Sequence, residues 1–295
     1  MRRNKIYIPS LGPSAWQQFL AEPEKQWRTG YSAKTLAHCW EQSDGLPPEI
    51  SALFPDTTEL LLALPEHKVP LLGGTRDSQN DIFALIRHGG ATCAATIEGK
   101  VNERFGPTVG EWLAAPSDGK LARMRHICDV LGLEETPPGH IRYQLLHRTA
   151  SAVIEAKRFK TDEAAMIVHS FSATRMWFDD FTAFIRLFDL DVAPDRGVGL
   201  SLSNGARLRL GWATGDAAFL ETGHPLNGRL DRPSPRRSLT GGCWGAVLTP
   251  NVLVLCSQHP IISSVELNGV PDRPRVSDLF VIDISSSVRR QGLQP

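Results

Sequence analysis

The chain has 295 residues, 41% of them hydrophobic, with 32 basic side chains against 32 acidic ones. That length builds one large domain or two small ones, and a net charge of zero argues against a globally basic nucleic-acid binder while leaving room for a local basic groove. Five scattered cysteines without a CxxC pair, and nine histidines without HExxH or HxH spacing, argue against a disulfide framework or a zinc enzyme and read as buried thiols and ordinary histidines.

The N-terminal MRRNKIYIPS carries two arginines and no apolar segment of the signal-peptide kind, and no stretch approaches about 20 apolar residues, so a cytoplasmic protein without a membrane partner is expected. Helical periodicity appears at 14–21 and at 32–42, the latter with Ser32 as N-cap. A short helix entered through prolines follows at 46–54, then a buried strand at 58–64 that ends at Pro65. The segment "SQNDIFALIRHGGATCAATIEGKV" (78–101) reads as a hairpin: strand 81–87, a turn at His88-Gly89-Gly90, strand 91–101. A short helix over 78–87 is the alternative, because Ile82, Phe83, Leu85 and Ile86 do not alternate cleanly.

Helices are expected at 108–115, with Thr108 as N-cap and Glu111 completing a capping box, and at 120–133, stopping at Gly132. A long amphipathic helix occupies 140–159, followed by a buried strand at 164–171, a helix at 177–188 and a last strand and turn within 206–220. Beyond about Thr222 the chain turns rich in Pro, Gly, Ser and Arg, so 1–221 is read as the domain and 222–295 as a poorly ordered extension with an apolar run, "CWGAVLTPNVLVLCSQ", able to form strands.

The chemistry lies in "ATIEGKVNERFGP" (95–107). Residues i and i+2 of a strand share a face, so Glu98 and Lys100 project together while Gly99 leaves packing room on the other side. If the hairpin turns near Gly89, Asp81 falls at the same end of the sheet as Glu98. Two carboxylates there make a hard-oxygen site for Mg2+ or Mn2+, and a lysine beside them can orient water or stabilise charge on a phosphate. On the long helix, Gln144, Arg148, Ser151 and Glu155 form one stripe, so Gln144 and Arg148 can face the site, to bind phosphate or to hold Glu98; a solvated helix face is the alternative. His169 reads as a satisfied core histidine, and Trp16, Trp27 and Trp40 as core residues rather than base-stacking platforms.

The spacing Asp81-x(16)-Glu98-x-Lys100 resembles the signature of the PD-(D/E)XK, or restriction-endonuclease-like, nuclease superfamily, and the element order resembles its αβββαβ core. Stretches such as "PEKQWRTGYSAKTLAHCWE", "SQNDIFALIR" and "YQLLHRTASAVIEA" are also similar to a bacterial family of that type, over roughly residues 15–221. The resemblance implies an α/β fold with a mixed central sheet flanked by helices. It also implies Asp81 and Glu98 as metal ligands, Lys100 as the catalytic lysine, and Glu41 or Glu49 as an additional acid. Asp77 and Glu103 are further acids that the loops could bring to the site. Asn80 stands where many members have proline. The functional expectation is a metal-dependent nuclease acting on DNA in defence or repair. The alternatives are a catalytically silent nuclease-fold module that binds nucleic acid or protein, and a small-molecule enzyme built on a deep apolar pocket away from Glu98. A catalytic pair that contributes little to stability would let Glu98 and Lys100 be replaced without loss of fold; a surface ion pair on an edge strand is the plain alternative.

Overall fold

The computed structural model describes residues 11–221 and, further on, the strands Trp244–Thr249, Val252–Ser257 and Phe280–Asp283. The chain divides into two compact units, Met1–Leu226 and Asn227–Pro295. In chain order the first holds α1 (Pro23–Gln26), α2 (Ser32–Gln42), α3 (Pro48–Ser51), β1 (Thr58–Val69), β2 (Ser78–His88), β3 (Ala91–Lys100), α4 (Val109–Leu113), α5 (Asp118–Leu131), α6 (Tyr143–Phe159), β4 (Glu163–Ser170), α7 (Phe178–Ile185), β5 (Arg196–Ser201) and β6 (Arg207–Thr214). Its six strands form one mixed sheet in the order β1-β2-β3-β4-β6-β5. The β1-β2-β3 meander is antiparallel, β3, β4 and β6 run parallel, and β5 closes the far edge antiparallel.

The centre of this sheet is covered on both faces. Odd-numbered positions of β2 such as Phe83 share a core with Leu145, Leu146 and Ala152 of α6, while Ile82, Ala84 and Ile86 pack with Leu36 and Trp40 of α2 and Ile50 of α3. A strand buried on both sides reads as nearly continuous apolar sequence, which is why β2 shows no clean alternation and still is a strand. The hairpin turns on Gly89 and Gly90, both at positive φ (49° and 85°), where the reversal needs residues without a Cβ penalty. Pro65 does not end β1: the strand runs on to Val69 with Pro65 opposite Ile82. Proline is tolerated there because β1 is an edge strand with one unpaired side.

Three other boundaries shift. Residues 13–19 form a 3-10 helix, and Ser32 is the first residue of α2 rather than its cap, which is Tyr31. β5 lies in "RGVGLS", whose glycines gave no strand signal. Elsewhere local signals held: Thr108 and Glu111 form the capping box of α4, and α5 ends on Gly132 at φ 67°. In the second unit the apolar run forms β7 (Trp244–Thr249) and β8 (Val252–Ser257), and β8 pairs antiparallel with both β7 and β9 (Phe280–Asp283). The expected linker at 222–241, and the order of the extension around these strands, lie outside the described residues.

Candidate active site

Glu98 and Lys100 sit at the C-terminal end of β3, a central strand, and are 2% and 3% exposed. A surface pair on an edge strand is thereby excluded. Their shared face is the one α6 crosses, and α6 answers with two donors one turn apart. Glu98 Oε1 accepts from Lys100 Nζ at 2.6 Å and from Gln144 Nε2 at 2.7 Å, while Oε2 accepts from Arg148 Nε at 2.6 Å. Burial alone would raise the carboxyl pKa; the charges of Arg148 and Lys100 more than offset it and hold Glu98 down at about 2. Gln144 and Arg148 therefore hold Glu98, one of the two roles read from their spacing. Arg148 also donates to Ser78 Oγ at 3.3 Å, and that hydroxyl lies 2.8 Å from His147 Nδ1. Burial and then the Arg148 charge push His147 well below the usual histidine range, so its ring is neutral.

Asp81 lies on β2, one residue before the last β2-β3 pair, Ile82 with Ile97. That position puts it across from Glu98, and its Oδ2 reaches over to accept from the Gly99 amide at 2.8 Å. Gly99 permits the approach, since a Cβ there would stand 3.4 Å from Asp81 Oδ2 and 3.2 Å from Leu36 Cδ2. Burial, and then the charge of Glu98, raise Asp81 to about 7. The residue is half-buried rather than sealed off, so water moderates the shift.

A third carboxylate joins them that sequence reasoning missed. Glu66 falls between the β1-β2 pairs Pro65–Ile82 and His67–Asn80, hence opposite Asp81. Its backbone is left-handed (φ 53°), its carboxylate accepts from Gln79 Nε2 at 2.6 Å, and burial followed by the Asp81 charge raises it to about 8. Glu66 had no prominence in the sequence because β1 was expected to cover 58–64 and break at Pro65. The proposed additional acids go elsewhere. Glu41 accepts from Trp16, Glu103 binds the amides of Val101 and Asn102, and Asp77 is exposed in the loop before β2. Glu49 pairs with His169 on the other face of the sheet. His169 is fully buried with both ring nitrogens in contact, and Trp16 and Trp40 are core residues.

The charges show what the cluster lacks. Two cations, Lys100 and Arg148, face three carboxylates, Glu66, Asp81 and Glu98, which leaves one negative charge unmatched. In the protein alone burial and mutual repulsion raise Glu66 and Asp81 toward neutrality, which offsets that excess. The all-oxygen donor set also fits a hard divalent cation. Beside the cluster opens a pocket of about 360 Å3 lined by Lys100, Arg104, Tyr143, Gln144, His147 and Arg148, a surface suited to an anion. A larger cavity of about 660 Å3 lies at the opposite end of α6, bordered by Lys157, Asp162, Glu163 and Arg207. It contains no member of the cluster, and its lining mixes these charged groups with Val130, Val153 and Ile154.

Among the described residues no helix is long and apolar enough to cross a membrane. No curated protein and no solved structure matches the chain. A family model does match, over residues 9–217, which is most of the chain and contains every residue of the cluster. The chain belongs to that family, the domain of unknown function DUF6946.

Proposed function

We propose that the domain is a divalent-metal-dependent nuclease that hydrolyses DNA phosphodiester bonds, built on a restriction-endonuclease-like αβββαβ core. The observation that carries this reading is the buried Glu98–Lys100 pair on a central strand with Asp81 directly across from it. Asp81 and Glu98, with Glu66 behind Asp81, are the residues that would hold Mg2+ or Mn2+. Such an ion supplies positive charge to the phosphoryl oxygen and lowers the pKa of water. The reaction adds water across one P–O bond, leaving a phosphate monoester on one fragment and a hydroxyl on the other.

The chain's own residues divide the remaining work. Gln144 and Arg148 fix the Glu98 carboxylate, whose two oxygens would otherwise rotate freely. Asp81 and Glu66, raised by burial and like charge in the metal-free protein, would be ionised by the cation and offer it their oxygens. Lys100 adds a compact charge to the wall of the cation-lined pocket, a setting suited to a phosphate. Defence and repair are the roles that suit such an activity.

The catalytically silent reading has one observation in its favour. Glu98 already accepts from three protein donors, so an ion has to compete with that network for its oxygens. The test is direct. Linear, supercoiled and single-stranded DNA are incubated with Mg2+, Mn2+ or chelator. Cleavage with either ion and none with chelator is expected; intact DNA under every condition overturns the enzyme reading, and retention of DNA without cleavage selects the binding module.

A further inference from the structure

On the face of the sheet away from Glu98, three unlike side chains from three elements converge. Cys39 of α2, Glu49 of α3 and His169 of β4 bring Sγ, a carboxylate oxygen and Nε2 to within 4.8 Å of one another. Glu49 Oε1 is the meeting point, 2.8 Å from His169 Nε2 and 3.6 Å from Cys39 Sγ. Cys39 and His169 are buried, whereas the Glu49 side chain is 21% exposed and opens the group to solvent. We propose that Cys39, Glu49 and His169 form a binding site for a zinc-class transition-metal ion, with a fourth coordination position facing solvent.

The donor set supports this independently of the carboxylate cluster. A thiolate, an imidazole and a carboxylate suit a borderline-soft ion such as Zn2+, whereas Mg2+ selects oxygens alone. A second observation concerns space. Gly215 lies beside the imidazole, and a Cβ there would come within 2.8 Å of His169 Nε2 as well as against the Phe171 ring. Residue 215 is therefore held to glycine, which lets the backbone close against the imidazole and the Phe171 ring. Asp216 follows immediately, exposed, and near enough for its charge to act on Cys39.

The protons balance simply. In the metal-free protein Trp40 Nε1 lies 3.3 Å from His169 Nδ1, which assigns the ring hydrogen to Nε2, where Glu49 accepts it. The Cys39 thiol keeps its proton, since burial and the Glu49 charge both push it up. Metal binding releases one proton, from Cys39, and moves the ring hydrogen from Nε2 to Nδ1, at the expense of the long Trp40 contact. The ion then ties α2 and α3 to β4 on the face opposite the candidate active site.

The test uses the full chain, stripped with chelator and titrated with Co2+ as a spectroscopic substitute for Zn2+. One equivalent should bind, with a thiolate-to-cobalt charge-transfer band that added Zn2+ abolishes. Cys39→Ser should remove the band and Cys93→Ser should keep it. Because Cys39 is buried, Glu49→Gln serves as the second variant: its partly exposed site tolerates the change, and cobalt affinity should fall at least about tenfold. No band in the parent protein, a band that survives Cys39→Ser, or undiminished affinity in Glu49→Gln overturns the proposal. None of these readouts depends on DNA cleavage.

Discussion

The two faces of the central sheet handle buried charge in opposite ways. On the α6 face, Glu98 is almost fully buried yet ionised, because two cations and an amide meet its oxygens. On the α2 face, Glu49 stays partly exposed and finds only a histidine and a thiol, neither of which carries a fixed positive charge. Depth of burial follows the supply of compensating charge: a carboxylate enters the core only with its cations. The same rule acts within the α6 face. For Asp81 and Glu66 burial and like charge outweigh the pull of Arg148, and both rise toward neutrality.

The contrast breaks most visibly at Glu98. Glu98→Gln removes the carboxylate that pairs directly with Lys100 and Arg148, and breaking such a buried pair costs about 3–5 kcal/mol. Urea unfolding should show a loss of that size, and a loss below about 1 kcal/mol would show that the pair is not buried as described. This reverses the sequence-based expectation that Glu98 could be replaced without effect on stability. Lys100→Met removes the charge that lies 5.0 Å from the Phe105 ring centroid and keeps an unbranched side chain. With cleavage as readout, a loss of about 100-fold or more in kcat is expected; activity within about threefold of the parent would remove Lys100 from the mechanism.

The pH dependence sharpens the comparison. Asp81 and Glu66 have folded pKa values raised above the ordinary carboxylate value of about 4. Their contribution to stability is complete below about pH 4 and is lost as pH rises toward about 7 and 8. Glu98 is depressed, so its contribution is present above about pH 4 and lost as pH falls toward about 2. The metal-free protein should therefore be most stable on the acid side of neutrality, and Mg2+ should raise Tm more at about pH 8 than at about pH 6, where protons compete for the same oxygens. Thermal melts at the two values decide this, and an equal Mg2+ effect would separate the cation from Asp81 and Glu66. The smallest effect belongs to the other face: in chelator, Glu49→Gln should cost about 1 kcal/mol or less, because the amide still accepts one hydrogen bond and its site is partly wet.

Legibility in the sequence tracked locality. The β2-β3 hairpin, the capping box at Thr108 and the stop at Gly132 each depend on a few adjacent residues, and each was readable. Glu98, Lys100, Gln144 and Arg148 were readable as well, since strand and helix periods place them on defined faces. Glu66 was not, because its place depends on β1 continuing past a proline, which only an edge position permits. The convergence of Glu49 with His169 spans 120 positions, and no periodicity reports on contacts that distant.

Glu66 also sets two demands on one residue. A non-glycine side chain at φ 53° stores roughly 1 kcal/mol or more of backbone strain, which glycine would relieve. Selection for a sturdier fold alone favours Gly at this position, and Gly would erase the third carboxylate together with the strain. The left-handed backbone at residue 66 is therefore where thermostability and chemistry compete most directly, and a library screened only for folding would discard the acid there first.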